Sequence, residues 1–170
     1  MILTGTEIKR NVQLNRIIIE PFNPKQINPN SYNYRLGDSY IEISVDEKYD
    51  LSIQQDCGVK KRISESGTIF KKDHLYLCNT YEKIGSDYYV TSLIGKSSMG
   101  RLGMFLQVSA DLGHQGEIHK WTLEIRPCVS IIVYPRMIIG QVSFWKVEGE
   151  KLDSIGYYKG FDSPTLSKGV

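Results

Sequence analysis

The residues best suited to chemistry concentrate between Ser92 and Gly103, in the run SLIGKSSMGRLG. Gly95, Gly100 and Gly103 punctuate it, so the backbone can turn tightly and come close to a ligand. Between the glycines stand Lys96, Ser97, Ser98 and Arg101, two cations and two hydroxyls. Ser97 and Arg101 are four positions apart, a spacing that one helical turn places on a single face. A guanidinium fork, an ammonium, hydroxyls and free backbone N–H groups suit a phosphate ester. Further on, Glu124 lies in the strand-like run TLEIR and is the candidate acid–base group. Together these residues read as a nucleotide site served by one carboxylate.

Alternation through Trp121–Arg126 puts Thr122, Glu124 and Arg126 on one face, with Leu123 and Ile125 on the other. A carboxylate among apolar neighbours is expected to keep its proton to higher pH, which suits a group that takes a proton and returns it. The plainer reading of a lone Glu is a surface carboxylate on an edge strand. Ser97 and Ser98 can fix a water, hold phosphate oxygens, or bond only within their own turn. Asp111, in DLGHQG, is a second carboxylate beside glycine turns, and His114 in the same run reads as a solvated polar side chain.

Other chemistries find less support. Cys57, Cys78 and Cys128 are odd in number and contain no CxxC pair, which argues for reduced, mostly buried thiols rather than a disulfide scaffold. Zinc-dependent deaminases carry H-x-E and P-C-x-x-C. Pro127-Cys128 begins the second motif, but no further cysteine follows at the required offset and neither His114 nor His119 has its Glu, so no zinc is expected. A net charge of +2 does not indicate nucleic-acid binding. No apolar run reaches membrane-spanning length and the N-terminus lacks a signal-peptide core, so a cytoplasmic protein is expected.

These residues must be held by a mainly β framework. The 170 residues suit one domain, with 41% of them apolar, enough for a sizeable core. Thr4–Val12 reads as a short helix capped by Thr4 or Thr6, and Arg16–Glu20 as a strand stopped by Pro21. Residues 22–33 read as a loop, 34–45 as one strand, and 46–67 as a hairpin or variable excursion. Short strands are then expected at 75–79, 88–93, 104–110, 120–126, 129–134 and 141–147. Such spacing fits an all-β sandwich or barrel. Residues 149–170 read as a tail that is ordered only where it packs on something.

With its motifs in order, the chain resembles the dCTP deaminases of the trimeric dUTPase superfamily. The carriers are MILTGTEIK, the block Asn28–Gly37 (NPNSYNYRLG), Thr80-Tyr-Glu82, Gly95–Gly103 (GKSSMGRLG), Thr122-Leu-Glu124, Ile139–Phe144 (IGQVSF) and Pro164–Lys168 (PTLSK). The resemblance implies a distorted jelly-roll β-barrel in a homotrimer, with active sites at subunit interfaces and 149–170 closing over bound nucleotide. It implies a nucleoside triphosphate substrate accompanied by Mg2+ and hydrolytic deamination of dCTP to dUTP and ammonia. Glu124 would then be the acid–base residue, with Ser97 and Arg101 as catalytic partners. Lys96 and Ser98 would contact phosphate and Asp111 the sugar. Ala110, Gln141, Tyr157, Tyr158 and Lys159 complete the implied substrate contacts.

Some positions depart from the family pattern. The chain is short between Ala110 and Asp111 and long again before Glu124, so that an ungapped alignment puts His114 at the Asp position. Arg136 replaces the glycine of a P-G-M turn, from which a different turn geometry is expected. Phe161 stands where many members carry a nucleotide-contacting Gln. Two further readings therefore stay open. One is a dUTPase, or a bifunctional enzyme that also releases diphosphate to give dUMP. The other is a nucleotide-binding homologue without turnover.

Overall fold

A computed structural model describes residues 1–43, 46–54, 58–107, 109–150, 160 and 162–169. Tyr157, Tyr158, Lys159, Phe161 and Cys57 lie outside these residues. The chain opens with α1 (Gly5–Gln13), whose N-cap Thr4 accepts the Glu7 N–H. Strands β1 (Ile18–Glu20), β2 (Tyr32–Arg35), β3 (Ser39–Ile43) and β4 (Lys60–Arg62) follow, then β5 (Thr68–Phe70), β6 (Leu75–Asn79), β7 (Lys83–Gly85) and β8 (Tyr89–Gly95). The one-turn helix α2 (Ser97–Gly100) leads to β9 (Met104–Leu106), β10 (Leu112–Gly113) and β11 (Ile118–His119), and the last are β12 (Thr122–Pro127), β13 (Ile131–Val133) and β14 (Ile138–Lys146).

Among the described residues all pairings are antiparallel and form four sheets, ordered β1-β7-β11, β10-β8-β14-β2, β4-β3-β6-β12-β9 and β13-β5. They wrap one core in which Tyr32, Tyr34, Phe70, Tyr76 and Phe144 are fully buried, and this is the barrel-type β fold expected. Among the described residues, no helix is long and apolar enough to cross a membrane.

The run 34–45 is two strands in different sheets, not one. The chain bends at Leu36-Gly37, where Gly37 donates to Asn79 O at 2.7 Å. A Cβ on Gly37 would lie 2.6 Å from Oδ1 of the buried Asn79 side chain, so a larger residue here would displace that amide. Residues 22–33 hold a 3-10 turn over Pro24–Gln26 and the start of β2. The strand expected over 104–110 ends at Leu106, because Gln107 takes φ 51. Arg136 also bears on the sequence reading. It adopts φ 61, the left-handed region that glycine enters freely, so the arginine does not by itself force the backbone out of the region open to a glycine. Its side chain reaches Glu65 at 2.6 Å. Of the described thiols Cys78 is buried and Cys128 exposed, so "mostly buried" does not extend to Cys128.

Candidate active site

Strand β12 carries Glu124 between β6 and β9, with Glu124 opposite Leu77 and Ile125 opposite both Tyr76 and Leu106. Alternation does what the sequence requires of it. Leu123 and Ile125 are fully buried in the core, while Thr122 and Glu124 face outward, half-buried, and Arg126 is exposed. Desolvation raises the Glu124 carboxyl above its ordinary value, since partial burial disfavours the charged form.

The end of β12 nearest Glu124 is fixed from two sides. Upstream, Trp121 N–H donates to Thr80 Oγ1 at 2.9 Å and the indole Nε1 donates to Ile84 O at 2.9 Å. Thr80 belongs to the Thr80-Tyr-Glu82 motif, and its own hydroxyl donates to Glu82 O. Glu82 is fully buried and accepts from Arg35 N–H at 2.8 Å and Arg35 Nε at 2.6 Å. A buried carboxylate without that guanidinium would carry a large desolvation cost. On the other side, Gln107 Oε1 accepts the Glu124 N–H at 2.7 Å while Gln107 Nε2 donates to Ala110 O at 3.2 Å.

That second link leads to Asp111. Leu93 N–H donates to Asp111 O, and Ser92 Oγ donates to Asp111 Oδ2 at 2.7 Å. Glu124, Gln107, Ala110, Asp111 and Ser92 thus form one connected group. His114, in the turn after Asp111, is exposed and its N–H donates to Glu117 Oε2 at 3.4 Å.

The cationic group lies at the far end of β8. Lys96 is the N-cap of α2 and donates through Nζ to Asn33 Oδ1 at 3.2 Å. Asn28 Nδ2 donates to the same oxygen at 2.9 Å, and Ser31 Oγ donates to Gln141 Oε1 at 2.8 Å. Gln141 sits on β14 opposite Asn33 on one side and Ile94 on the other, so β2, β14 and β8 bring these polar groups together. Ser97 and Arg101 lie one turn apart, as their spacing implies, with Arg101 N–H donating to Ser97 O at 3.0 Å. Ser97, Ser98 and Arg101 are exposed, and among the described residues their side chains make no hydrogen bond or ion pair. Lys96 follows Ser92 by four positions along β8, roughly 13 Å at the usual rise. At the same end of β8, a Cβ on Gly95 would lie 3.6 Å from Leu106 Cβ, so the turn that carries Lys96 starts beside β9, the strand that leads into Gln107.

Sequence reasoning missed Gln107 and Asn33 as parts of this arrangement. Asn33 lies inside the matched Asn28–Gly37 block and was within reach of that reading. Gln107 gave no signal, because its position depends on a backbone angle that a glutamine seldom adopts. Among the described residues, no three His, Cys, Asp or Glu side chains come together as a metal-binding group.

A family model described as dCTP deaminase-like matches residues 2–147. A protein of Hathewaya histolytica named "dCTP deaminase, dUMP-forming" is 40% identical over 151 residues, 88% of this chain and 86% of that one. A protein of the same name from Clostridium beijerinckii is 41% identical over 160 residues, 94% of this chain and 91% of its own length. Among solved structures, the 2'-deoxycytidine 5'-triphosphate deaminase of Agrobacterium tumefaciens superposes with a TM-score of 0.67 at 20% identity, over 84% of this chain. This chain spans 47% of that longer one, and the likeness is one of fold.

Proposed function

Since the chain belongs to the dCTP deaminase-like family, we propose that it deaminates dCTP and also releases diphosphate, giving dUMP. The names of the relatives favour this product over dUTP, which was the first of the sequence readings. The observation that carries the deaminase step is the half-buried carboxyl of Glu124, raised by desolvation and anchored at its backbone on both sides.

In the proposed deamination, water adds to C4 of cytosine and ammonia leaves. Glu124 accepts a proton from the attacking water and delivers it to the exocyclic nitrogen, so that one group serves as base and then as acid. Ser97 orients the water, and Arg101 stabilises charge as it develops. Lys96 and Ser98 hold phosphate oxygens, and Ala110, Asp111 and Gln141 meet the sugar and base. Asp111 is also the carboxylate available to activate water for the step that frees diphosphate. The proposed Mg2+ arrives on the triphosphate, whose charge it offsets, and the chain's own contribution there is cationic. Tyr157, Tyr158 and Lys159 keep their proposed role in closing over the nucleotide.

A homotrimer with sites at subunit interfaces is part of the same proposal. Its support is that Ser97 and Arg101, whose side chains have no partner among the described residues, stand beside exposed apolar side chains, Leu102 at 66%, Phe105 at 48% and Val129 at 50% exposure. Gly103 links them, since Cys128 N–H donates to its carbonyl at 2.7 Å.

The test is incubation of the protein with dCTP, CTP, dCMP and dUTP, reading ammonia and diphosphate separately. Ammonia and diphosphate together from dCTP are expected. Ammonia alone restores dUTP as the product, and neither product with measurable binding favours a non-catalytic homologue. Glu124→Gln should bind dCTP nearly as well as the parent while ammonia release falls by orders of magnitude. Parental activity in that variant would remove Glu124 from the mechanism.

A further inference from the structure

We propose that Gln107 is a positioning residue for Glu124, its side-chain amide fixing the strand that carries this carboxylate to the Ala110–Asp111 turn. The inference rests on the deaminase reading of Glu124. The sheet pattern shows why a side chain is used. Leu106 pairs with Ile125, so Gln107 stands opposite Glu124, where a regular ladder exchanges two backbone hydrogen bonds. One of them survives, from Gln107 N–H to Glu124 O at 3.2 Å. The reciprocal bond, which would come to Gln107's own carbonyl, is made instead by its side-chain Oε1 at 2.7 Å. The same amide then donates to Ala110 O at 3.2 Å.

Gln107 does this from φ 51, a left-handed conformation that costs any residue with a Cβ. A chain that only had to leave the sheet here would place glycine at that angle without strain. This position instead holds a long polar side chain, 7% exposed, with its carbonyl oxygen and amide nitrogen both bonded. Strain held against a buried, two-sided hydrogen bond marks a site whose geometry matters. Its effect is to set the acid–base group and the Asp111 carboxylate in one frame, because Asp111 follows Ala110 and is tied in turn to Ser92. Acid–base transfer is sensitive to such placement: a shift of about 1 Å can cost on the order of 10²-fold in rate.

The experiment compares wild type, Gln107→Met and Gln107→Glu for ammonia release from dCTP, with thermal unfolding recorded for each. Methionine keeps the volume and removes both hydrogen bonds. Its kcat should fall at least about tenfold, a larger change than any rise in KM for dCTP, because Lys96 and Ser98 are untouched while the strand carrying Glu124 and the Ala110–Asp111 turn lose their link. Glutamate places a second carboxyl beside Glu124 in this buried position, so its kcat should also fall and its pH profile should shift from that of the wild type. A merely structural role predicts losses that follow the unfolded fraction and vanish well below Tm, and that outcome overturns the proposal. So does a folded Gln107→Met with wild-type kcat. Should Gln107→Met not fold, wild-type kcat in Gln107→Glu overturns it equally. Failure of the wild type to release ammonia sinks the deaminase reading and this inference with it, whereas an active wild type indifferent to Gln107 sinks the inference alone.

Discussion

Glu124 is held where its charge is unwelcome, and that has a consequence for stability as well as for proton transfer. Its carboxyl is raised by desolvation, so over the range between the ordinary and the raised value the folded protein binds more protons than the unfolded chain. Stability therefore falls as pH rises through that range, and the cost is fully present above it. Glu124→Gln removes the charge and should melt at a higher temperature than the parent at neutral pH. Below the ordinary carboxylate range both states of the parent are protonated and the difference should vanish. Tm measured against pH for both proteins checks this, and a variant less stable than the parent at neutral pH would contradict it. The outward face of Glu124 was legible, because strict alternation leaves a strand residue only two choices. Gln107 and Arg136 were not, since each adopts a positive φ that its residue type disfavours. At Arg136 the sequence pointed to a changed turn, yet the backbone stays in the region open to a glycine and the side chain finds Glu65.

At the scale of elements, close backbone approaches decide where strands begin and end. Gly113 of β10 packs beneath Trp121, the residue that leads into β12. A Cβ there would lie 2.2 Å from Trp121 Cη2 and 2.4 Å from Thr91 Oγ1, both far inside contact distance. Thr91 is fully buried and Trp121 is pinned by two hydrogen bonds, so neither side can yield freely. Gly113→Ala should cost about 1–3 kcal/mol, seen as a fall of several degrees in Tm, and should lower kcat because Trp121 steers Glu124. An unchanged Tm would show that the indole can shift without strain. The sequence made α1, β6, β12 and β14 readable to within a few residues, because their apolar periodicity and caps are local signals. It merged β2 with β3 because the bend at Gly37 depends on Asn79, some forty residues away, which no local pattern encodes. The two-residue strands β10 and β11 are too short to show alternation at all.

For the whole molecule, the exposed Ser97 and Arg101 raise the question of how many chains complete the site. Glu124 and Asp111 are joined through Gln107, with Asp111 tied to Ser92 in the middle of β8, whereas Ser97 and Arg101 follow the end of that strand without a side-chain partner among the described residues, beside exposed Leu102 and Phe105. If the site is shared, a subunit lacking Glu124 can still lend its Arg101 to a neighbour. Mixing is the direct test: Glu124→Gln and Arg101→Ala chains, each inactive alone, are denatured together and refolded at equal concentration, or co-expressed. In a cyclic trimer each interface pairs one chain's carboxylate with the next chain's guanidinium, and random assembly leaves about a quarter of the interfaces with both intact. About a quarter of the wild-type ammonia release is therefore expected from the mixture, with sedimentation at three times the chain mass. A mixture as inactive as its parents, in particles of that mass, would place Glu124 and its guanidinium in the same chain. The exposed Arg101 would then need another occupant, and the exposed apolar side chains beside it would no longer bear on catalysis.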